Sequence, residues 1–205
     1  STGKIAYLGP EGTYSQLAAL EFFGSDAQLL NCGSIDDVFA AVESKQVAYG
    51  VVPVENSTEG AINNTQDCLI DSSTKIVGEQ ILSIEHSLLV LANTSKSDIK
   101  KIASHKQSLA QCRDYLTRNF PEAEQVECSS NAEAAIRAQS DYGTAAIASE
   151  LAGRLYNLQS LDERIQDISN NRTRFLVLAL GDTSPTDSDK TSILVYTENK
   201  PGALF

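Results

Sequence analysis

The stretch Asn-Asn-Arg-Thr-Arg-Phe-Leu-Val-Leu-Ala-Leu, residues 170–180, has a polar beginning and an apolar end. Its second half is a run of branched and aliphatic residues, which is typical of a strand buried on both faces. Its first half sets one hydroxyl, Thr173, between the guanidinium groups of Arg172 and Arg174. Polar strand ends are common, so this stretch alone favours a solvated strand start over a binding site. The rest of the chain has to decide between the two.

The composition is that of a globular protein that repels nucleic acid. The 205 residues are enough for one large domain or two small lobes, and 41% hydrophobic with 21% charged residues is ordinary. A net charge of −11 with no basic block excludes nucleic acid as a partner. No apolar run approaches the roughly 18 residues that cross a membrane, and the N-terminus lacks a signal-like pattern. We expect a cytoplasmic protein that does not bind membranes.

The cysteines and histidines do not form a metal-binding pattern. The four cysteines are widely separated: Cys32, Cys68, Cys112 and Cys128. The two histidines, His86 and His105, are also far apart in the chain. The sequence therefore predicts buried reduced thiols and no metal site. His86 could act as a general acid, but a lone histidine in an apolar segment favours a structural role.

The first strand of the chain ends in a loop that suits an anion. The segment Gly-Pro-Glu-Gly-Thr-Tyr-Ser-Gln, residues 9–16, reads as a tight turn followed by a helix. Thr13 and Ser15 place hydroxyls beside the free N–H groups of that helix N-terminus, where a carboxylate or phosphate is stabilised. The glycine spacing is not that of a dinucleotide-binding loop. Simple helix capping explains the same residues equally well.

A second buried strand also ends in a polar loop. Glu-Asn-Ser-Thr-Glu-Gly, residues 55–60, follows it directly and contains the amide of Asn56 and the hydroxyl of Ser57. Ligands of open parallel sheets collect at the carboxyl ends of strands, and two such loops can converge on one molecule. The presence of a second loop of this kind favours a binding site over capping alone.

The alternation of strands and helices predicts an α/β fold of two lobes with mainly parallel sheets, joined by two chain crossings. The crossings are expected near residues 79–86 and 158–170. The expected bounds are about 1–82 and 159–182 for lobe one, 83–158 for lobe two, and 183–190 for a polar linker. Loops at strand ends would line the cleft between the lobes, and Thr173 would reach it just after the second crossing. This placement weakens the reading of Thr173 as a plain strand start.

Five motifs occur in order along the chain. They are Gly-Pro-Glu-Gly-Thr-Tyr-Ser at 9–15, Val-Pro-Val-Glu-Asn-Ser-Thr-Glu-Gly at 52–60, Glu-His-Ser-Leu-Leu at 85–89, Ser-His-Lys-Gln-Ser-Leu-Ala-Gln-Cys at 104–112 and Asn-Arg-Thr-Arg-Phe at 171–175. Together they resemble the prephenate dehydratase family, over residues 4 to about 180. The chain departs from the family at Lys106, where proline is frequent, and at Gln16, where histidine or glutamate is common. Neither departure removes an expected catalytic group.

The resemblance implies a fold like the periplasmic binding proteins of the second type, with the active site between the lobes. It implies a carbon–oxygen lyase of phenylalanine biosynthesis that converts prephenate to phenylpyruvate without a cofactor. The family assigns the essential role to the threonine that matches Thr173. Arg174 is a candidate for holding a carboxylate or keeping the local potential positive, although strand alternation puts it on the sheet face opposite Thr173. Phe175 is expected to pack against the ring of the substrate. The expected carboxylate ligands are Thr13, Ser15, Asn56 and Ser57, with Gln107 from the opposite lobe.

The C-terminal segment, residues 191–205, looks like the beginning of the ACT regulatory domain that follows in this family. The resemblance implies that phenylalanine inhibits the full-length protein through that domain, and that the full-length protein is a homo-oligomer, a dimer or tetramer. The 205-residue chain is then expected not to respond to phenylalanine. Some relatives carry a chorismate mutase before the position of residue 1, and the sequence leaves that open.

Two alternatives remain at this stage. One alternative is an arogenate dehydratase. Its substrate, arogenate, differs from prephenate only in an amino group in place of the keto group, and no residue of the sequence distinguishes the two enzymes. A non-catalytic module that binds a carboxylate is an alternative of another class. The arginine-flanked Thr173 argues against it.

Overall fold

The computed structural model describes residues 3–181, and the predicted linker and ACT segment lie outside the described residues. Strands and helices alternate along most of this range, which confirms the α/β class. None of the helices between residues 3 and 181 has the length and apolar character to span a bilayer.

The strands and helices have the following bounds. The strands are β1 (Lys4–Leu8), β2 (Gln28–Cys32), β3 (Tyr49–Asn56), β4 (Gly60–Ala61), β5 (Thr74–Ser83), β6 (Ser87–Val90), β7 (Lys101–His105), β8 (Glu124–Cys128), β9 (Thr144–Ala148), β10 (Gln159–Asp162) and β11 (Arg172–Leu180). The α-helices are α1 (Tyr14–Phe23), α2 (Ile35–Glu43), α3 (Asn63–Asp71), α4 (Lys106–Gln111), α5 (Arg113–Asn119), α6 (Asn131–Ser140) and α7 (Glu150–Leu155).

The described chain divides into two compact units. Unit 1 contains residues 3–9, 14–83 and 171–181, and unit 2 contains residues 10–13 and 84–170. The sequence predicts that residues 159–170 belong to the first lobe, but they lie in unit 2. The reason is that β10 pairs antiparallel with β6, with Gln159 opposite Val90. Strand pairing, rather than the polar character of this segment, decides where it belongs.

Unit 1 is built on a sheet with the strand order β2-β1-β3-β11-β5, and β4 pairs with β3 beside it. The strands β1, β2 and β3 are parallel, as the sequence predicts. The sheet as a whole is mixed, because β11 returns between β3 and β5 and runs antiparallel to both. With a neighbour on each side, the apolar half of β11 is buried from Phe175 to Ala179.

Helix α2 covers one face of this sheet. Ser34 caps it, since its hydroxyl accepts a hydrogen bond from the backbone N–H of Asp37 at 3.1 Å. Val38 and Val42 lie one turn apart on the helix and pack over Gly50 in β3. A Cβ built on Gly50 would lie 2.9 Å from a methyl of each valine. The absence of a side chain at residue 50 therefore sets how closely α2 approaches the sheet.

Unit 2 is built on a sheet with the strand order β10-β6-β9-β7-β8. The strands β7, β8 and β9 are parallel, whereas β6 and β10 are antiparallel to their neighbours, so this sheet is also mixed. Small side chains let α6 approach one face closely. These are the alanines of α6, β7 and β9: Ala103, Ala134, Ala135, Ala138, Ala146 and Ala148. Larger residues such as Ile102, Leu116 and Ile147 fill the opposite face.

Replacing Gly50 with alanine is expected to destabilise the protein by about 1–3 kcal/mol, because the added methyl overpacks the contact with Val38 and Val42. Gly33→Ala is the matched control in the same unit, since its Cβ would meet nothing closer than 3.8 Å. Its effect should stay within about 0.5 kcal/mol. Urea unfolding with unchanged m-values measures both. Equal stabilities for the two variants would contradict the close approach of α2.

Candidate active site

Thr173 lies at the beginning of β11, directly opposite Asn56 at the end of β3. The amide nitrogen Nδ2 of Asn56 donates a hydrogen bond to Thr173 Oγ1 at 2.6 Å. The threonine is only 7% exposed, so its hydroxyl is held in one environment. The oxygen accepts in this bond, and no acceptor for the hydroxyl proton is found among residues 3–181. The proton is therefore available to a bound molecule.

The orientation of the Asn56 amide is fixed from its other end. Its carbonyl oxygen Oδ1 accepts hydrogen bonds from the backbone N–H groups of Thr58 at 2.9 Å and Glu59 at 3.1 Å. Two backbone donors on the oxygen leave the NH₂ group pointing at Thr173. The loop after β3 thus serves to aim the amide at the hydroxyl.

Ser57 ties the same loop to the start of β11. Its backbone N–H donates to the carbonyl of Arg172 at 2.8 Å, and its Oγ accepts from the backbone N–H of Arg172 at 2.8 Å. The Ser57 hydroxyl donates to Oδ1 of Asn171 at 3.0 Å. The predicted carboxylate ligand Ser57 thus has its hydroxyl engaged by the protein itself. Asn171, which is 5% exposed, is a site residue that sequence reasoning missed although it lies within the quoted motif.

Arg174 is held by two carboxylates of the protein. Its Nε lies 3.0 Å from Oε1 of Glu55 on β3, and its Nη1 lies 3.3 Å from Oε2 of Glu79 on β5. The side chains of Arg174 and Glu55 are 15% and 9% exposed, whereas that of Glu79 is 47% exposed. The sequence does not single out either glutamate. A usable signal is the acidic residue placed immediately before Asn56, opposite the arginine that follows Thr173.

The register of β11 against β3 changes just after the site. Arg174 lies opposite Glu55, but Phe175 lies opposite Pro53, so Val54 is an extra residue on β3. Proline has no N–H to donate to the ladder, and a bulge is where a sheet tolerates it. Phe175 is 1% exposed. The bulge separates the polar end of β11 from its apolar half.

The other predicted ligands are distributed over both units. Ser15 lies in the first turn of α1 and is 6% exposed in unit 1. Thr13 belongs to unit 2, next to Gly12, whose φ of +92° is in the left-handed region that favours glycine. Gln107 lies in the first turn of α4 in unit 2 with an exposed side chain, and its backbone N–H donates to Nδ1 of His105 at 3.1 Å. The structure thus joins Asn56 to Thr173 by a hydrogen bond and joins Ser57 to Asn171 and Arg172, the two residues before Thr173.

Unit 2 has its own polar cluster where β7 meets α4. Oδ1 of Asn131 accepts from the backbone N–H of His105 at 3.0 Å, and its Nδ2 donates to Ser108 Oγ at 2.9 Å. Ser104, which is fully buried, lies 2.8 Å from the same Oδ1. One asparagine at the start of α6 therefore fixes the backbone that leads to Gln107.

His86 is a structural histidine in this geometry. It is 1% exposed, and its Nε2 lies 2.7 Å from Oε1 of Gln111. Its backbone N–H donates to the side chain of Gln166 at 2.9 Å. Burial lowers the pKa of His86 below its ordinary value, against a smaller opposing effect of the Gln111 contact. The neutral ring is the form that this environment favours.

The cysteines between residues 3 and 181 are free thiols, and three of them are buried: Cys32, Cys112 and Cys128. Burial raises the pKa of Cys112 to about 12. Burial, together with the contact to Asp36, does the same for Cys68. Raised thiol pKa values keep these groups protonated and unreactive near neutrality. Among the described residues there is also no cluster of three or more histidines, cysteines and acidic residues that could hold a metal ion.

The fold and the site define an α/β protein of two sheet-containing units, with a buried hydroxyl presented at a strand end. The family model for prephenate dehydratase matches residues 5–183. The chain belongs to the prephenate dehydratase family.

Known proteins support the same assignment. The bifunctional chorismate mutase/prephenate dehydratase of Pseudomonas aeruginosa is 50% identical over 201 residues, covering 98% of this chain and 55% of that protein. The prephenate dehydratase of Methanocaldococcus jannaschii is 36% identical, covering 98% of this chain and 75% of that protein. The crystal structure of prephenate dehydratase from Arthrobacter aurescens in complex with L-Phe has a TM-score of 0.81 at 29% identity, covering 89% of this chain and 61% of that chain. The chain thus spans about half the length of the bifunctional relatives it matches.

Acidification is expected to destabilise the protein through His86. The folded-state pKa is lowered from 6.5, so the unfolded chain binds the proton more readily. The stabilising contribution is complete above about pH 6.5 and falls as the pH drops toward the folded-state pKa. The unfolding free energy, measured by urea titration between pH 7.5 and 5.5, should therefore fall more steeply for the wild type than for His86→Gln. Parallel pH profiles for the two proteins would refute this role of the histidine.

Proposed function

We propose that this chain catalyses the decarboxylation and dehydration of prephenate to phenylpyruvate, as a carbon–oxygen lyase of phenylalanine biosynthesis in the cytoplasm. Membership in the prephenate dehydratase family supports the reaction. The observation that carries the assignment of its chemistry is the hydrogen bond from Asn56 to Thr173, which leaves the threonine proton for a ligand. The proposal makes Thr173 the group that acts on the departing hydroxyl of the substrate.

The reaction needs little from the protein beyond positioning and one proton. The bond from the ring to its carboxylate breaks and releases carbon dioxide, and its electron pair enters the ring. The bond from the ring to the hydroxyl breaks at the opposite position, and the ring becomes aromatic. The departing oxygen takes up one proton, ultimately from solvent, and leaves as water. General-acid assistance of such a departure is worth about 10²–10⁴-fold.

Thr173 is proposed to pass that proton and to orient the departing oxygen. A free threonine hydroxyl is a very weak acid, so it needs help as negative charge develops on its oxygen. The Asn56 amide supplies such help, since it donates to that oxygen at 2.6 Å and polarises the O–H bond. Burial of Thr173 strengthens this interaction, because few water molecules compete for the hydroxyl.

The carboxylate ligands are proposed with different roles. Ser57 holds the loop through Asn171 and Arg172 and is assigned to positioning. Ser15, in the first turn of α1, has the hydroxyl and nearby N–H groups that suit a carboxylate. Thr13 and Gln107 stay predictions as ligands. Phe175 lies two residues after Thr173 on the same strand and is 1% exposed, and its contact with the substrate ring also stays a prediction.

The longer protein is proposed to be regulated by phenylalanine. The Arthrobacter aurescens relative is described in complex with L-Phe, and the bifunctional relatives join the dehydratase to a chorismate mutase. We assign phenylalanine binding to an ACT domain that begins near residue 191. The full-length protein is proposed to be a homo-oligomer, a dimer or tetramer.

Replacing Thr173 with valine should lower kcat at least about 10²-fold, because valine keeps the shape but removes the hydroxyl. Thr173→Ser is the matched control, since it keeps the hydroxyl and should retain most of the activity. Phenylpyruvate release from prephenate measures both, and circular dichroism checks that the fold is kept. Near wild-type turnover by Thr173→Val would show that the reaction does not need the threonine hydroxyl.

The wild-type chain should release phenylpyruvate from prephenate, and a comparison with arogenate under the same conditions separates the two dehydratase activities. A higher kcat/KM on arogenate would replace the proposed substrate. Saturable binding of prephenate without any turnover would instead favour a carboxylate-binding module.

A further inference from the structure

We infer that Glu55 and Arg174 form a positioning pair that holds the Asn56–Thr173 hydrogen bond in its working geometry. This inference rests on the proposed function, since it assigns a role in turnover to two residues beside the reacting hydroxyl. It also gives Arg174 a role that differs from binding the substrate. Neither residue touches the reacting atoms in this assignment.

Glu55 and Arg174 are the residue pair next to Asn56 and Thr173 in the pairing of β3 with β11. Thr173 lies opposite Asn56, and Arg174 lies opposite Glu55. The ion pair and the functional hydrogen bond are therefore one residue apart on both strands. Side chains alternate along a strand, so the two interactions lie on opposite faces of the sheet. A rotation of either strand end would disturb both interactions together.

The strand ends need such a tie because the ladder is interrupted beside them. The register slips between Arg174 and Phe175, and Val54 is left over on β3. On its other side, β11 stays paired with β5 through Arg172 opposite Ser83. Among the described residues, the end of β3 has only the two-residue strand β4 as its other neighbour. The bulge thus leaves the Asn56 end less constrained than the Thr173 end, and the Glu55 ion pair connects them.

Burial decides which of the two glutamates matters. Glu55 and Arg174 are 9% and 15% exposed in their side chains and lie 3.0 Å apart, so loss of one partner leaves a poorly solvated charge. Glu79 is 47% exposed at 3.3 Å, and exposed ion pairs contribute little. Glu79 therefore serves as an internal control on the same guanidinium.

The same contacts argue against direct binding of the substrate by Arg174. Two protein carboxylates already surround the Arg174 guanidinium, so the three groups together carry a net charge of −1. Such a cluster does not attract a dianion. Arg174 also points to the face opposite Thr173. The pair acts on turnover through the backbone of β3 and β11.

Steady-state kinetics on prephenate separate positioning from binding. Glu55→Gln and Arg174→Gln should each lower kcat about tenfold or more while KM changes by less than about threefold. The double variant should be no slower than the slower single variant, because the two residues act as a unit. Arg174→Lys should recover part of kcat, and Glu79→Gln should stay within about twofold of wild type. A large rise in KM for Arg174→Gln with normal turnover by Glu55→Gln would overturn the inference in favour of substrate binding by Arg174.

Hydrogen exchange tests the pair without relying on activity. The Ser57 N–H donates to the Arg172 carbonyl, and the Arg172 N–H donates to Ser57 Oγ, so both report on how the strand ends are joined. Glu55→Gln and Arg174→Lys should speed exchange at both amides, and Glu79→Gln should not. Unchanged exchange in the first two variants would overturn the positioning role. If the wild type released no phenylpyruvate, the proposed function would fail while the exchange result still decided the contact.

Discussion

The hydrogen bond between Asn56 and Thr173 joins residues 117 positions apart in the chain, and the functional reading of the structure depends on it. It requires β11 to return beside β3 in one register, because a slip of one residue would turn Thr173 to the other face. The apolar half of β11 enforces that register by being buried between two neighbours. The same strand therefore supplies both the buried side chains that fix its register and the hydroxyl proposed to act in the reaction.

The bulge at Val54, next to Pro53, lets β11 carry a buried apolar half and a polar end against the same neighbouring strand. A regular ladder would continue the alternation of the buried half directly into the polar end. The extra residue Val54 breaks that continuity, so the last two rungs have a register of their own. They are also the rungs that carry polar and charged pairs, Asn56 with Thr173 and Glu55 with Arg174. Between Phe175 and Arg174, the contacts of β11 thus change from buried apolar side chains to polar and charged pairs.

Much of the fold could be predicted from the sequence, because hydrophobic runs and glycine turns report on local structure. The α/β class and the buried half of β11 follow from such patterns. The placement of residues 159–170 could not be predicted, since it depends on which distant strand β10 pairs with. The sequence predicts mainly parallel sheets, and the antiparallel pairing of β6, β10 and β11 depends on distant partners in the same way. Strand partners over long separations leave no mark in local composition.

The partners of Arg174 show the corresponding limit at the level of the site. Strand alternation correctly separates it from Thr173 in direction, but nothing local to residues 170–180 identifies Glu55 and Glu79 as its neighbours. The polar residues that sequence reasoning did find are Asn56, at the end of β3, and Ser57, in the loop that follows. The composition of this segment already suggests hydrogen bonding. A buried glutamate inside an apolar strand reads as a minor irregularity until the opposite strand is known. The motif around Thr173 is therefore better understood as half of a two-strand arrangement, whose other half is residues 53–57.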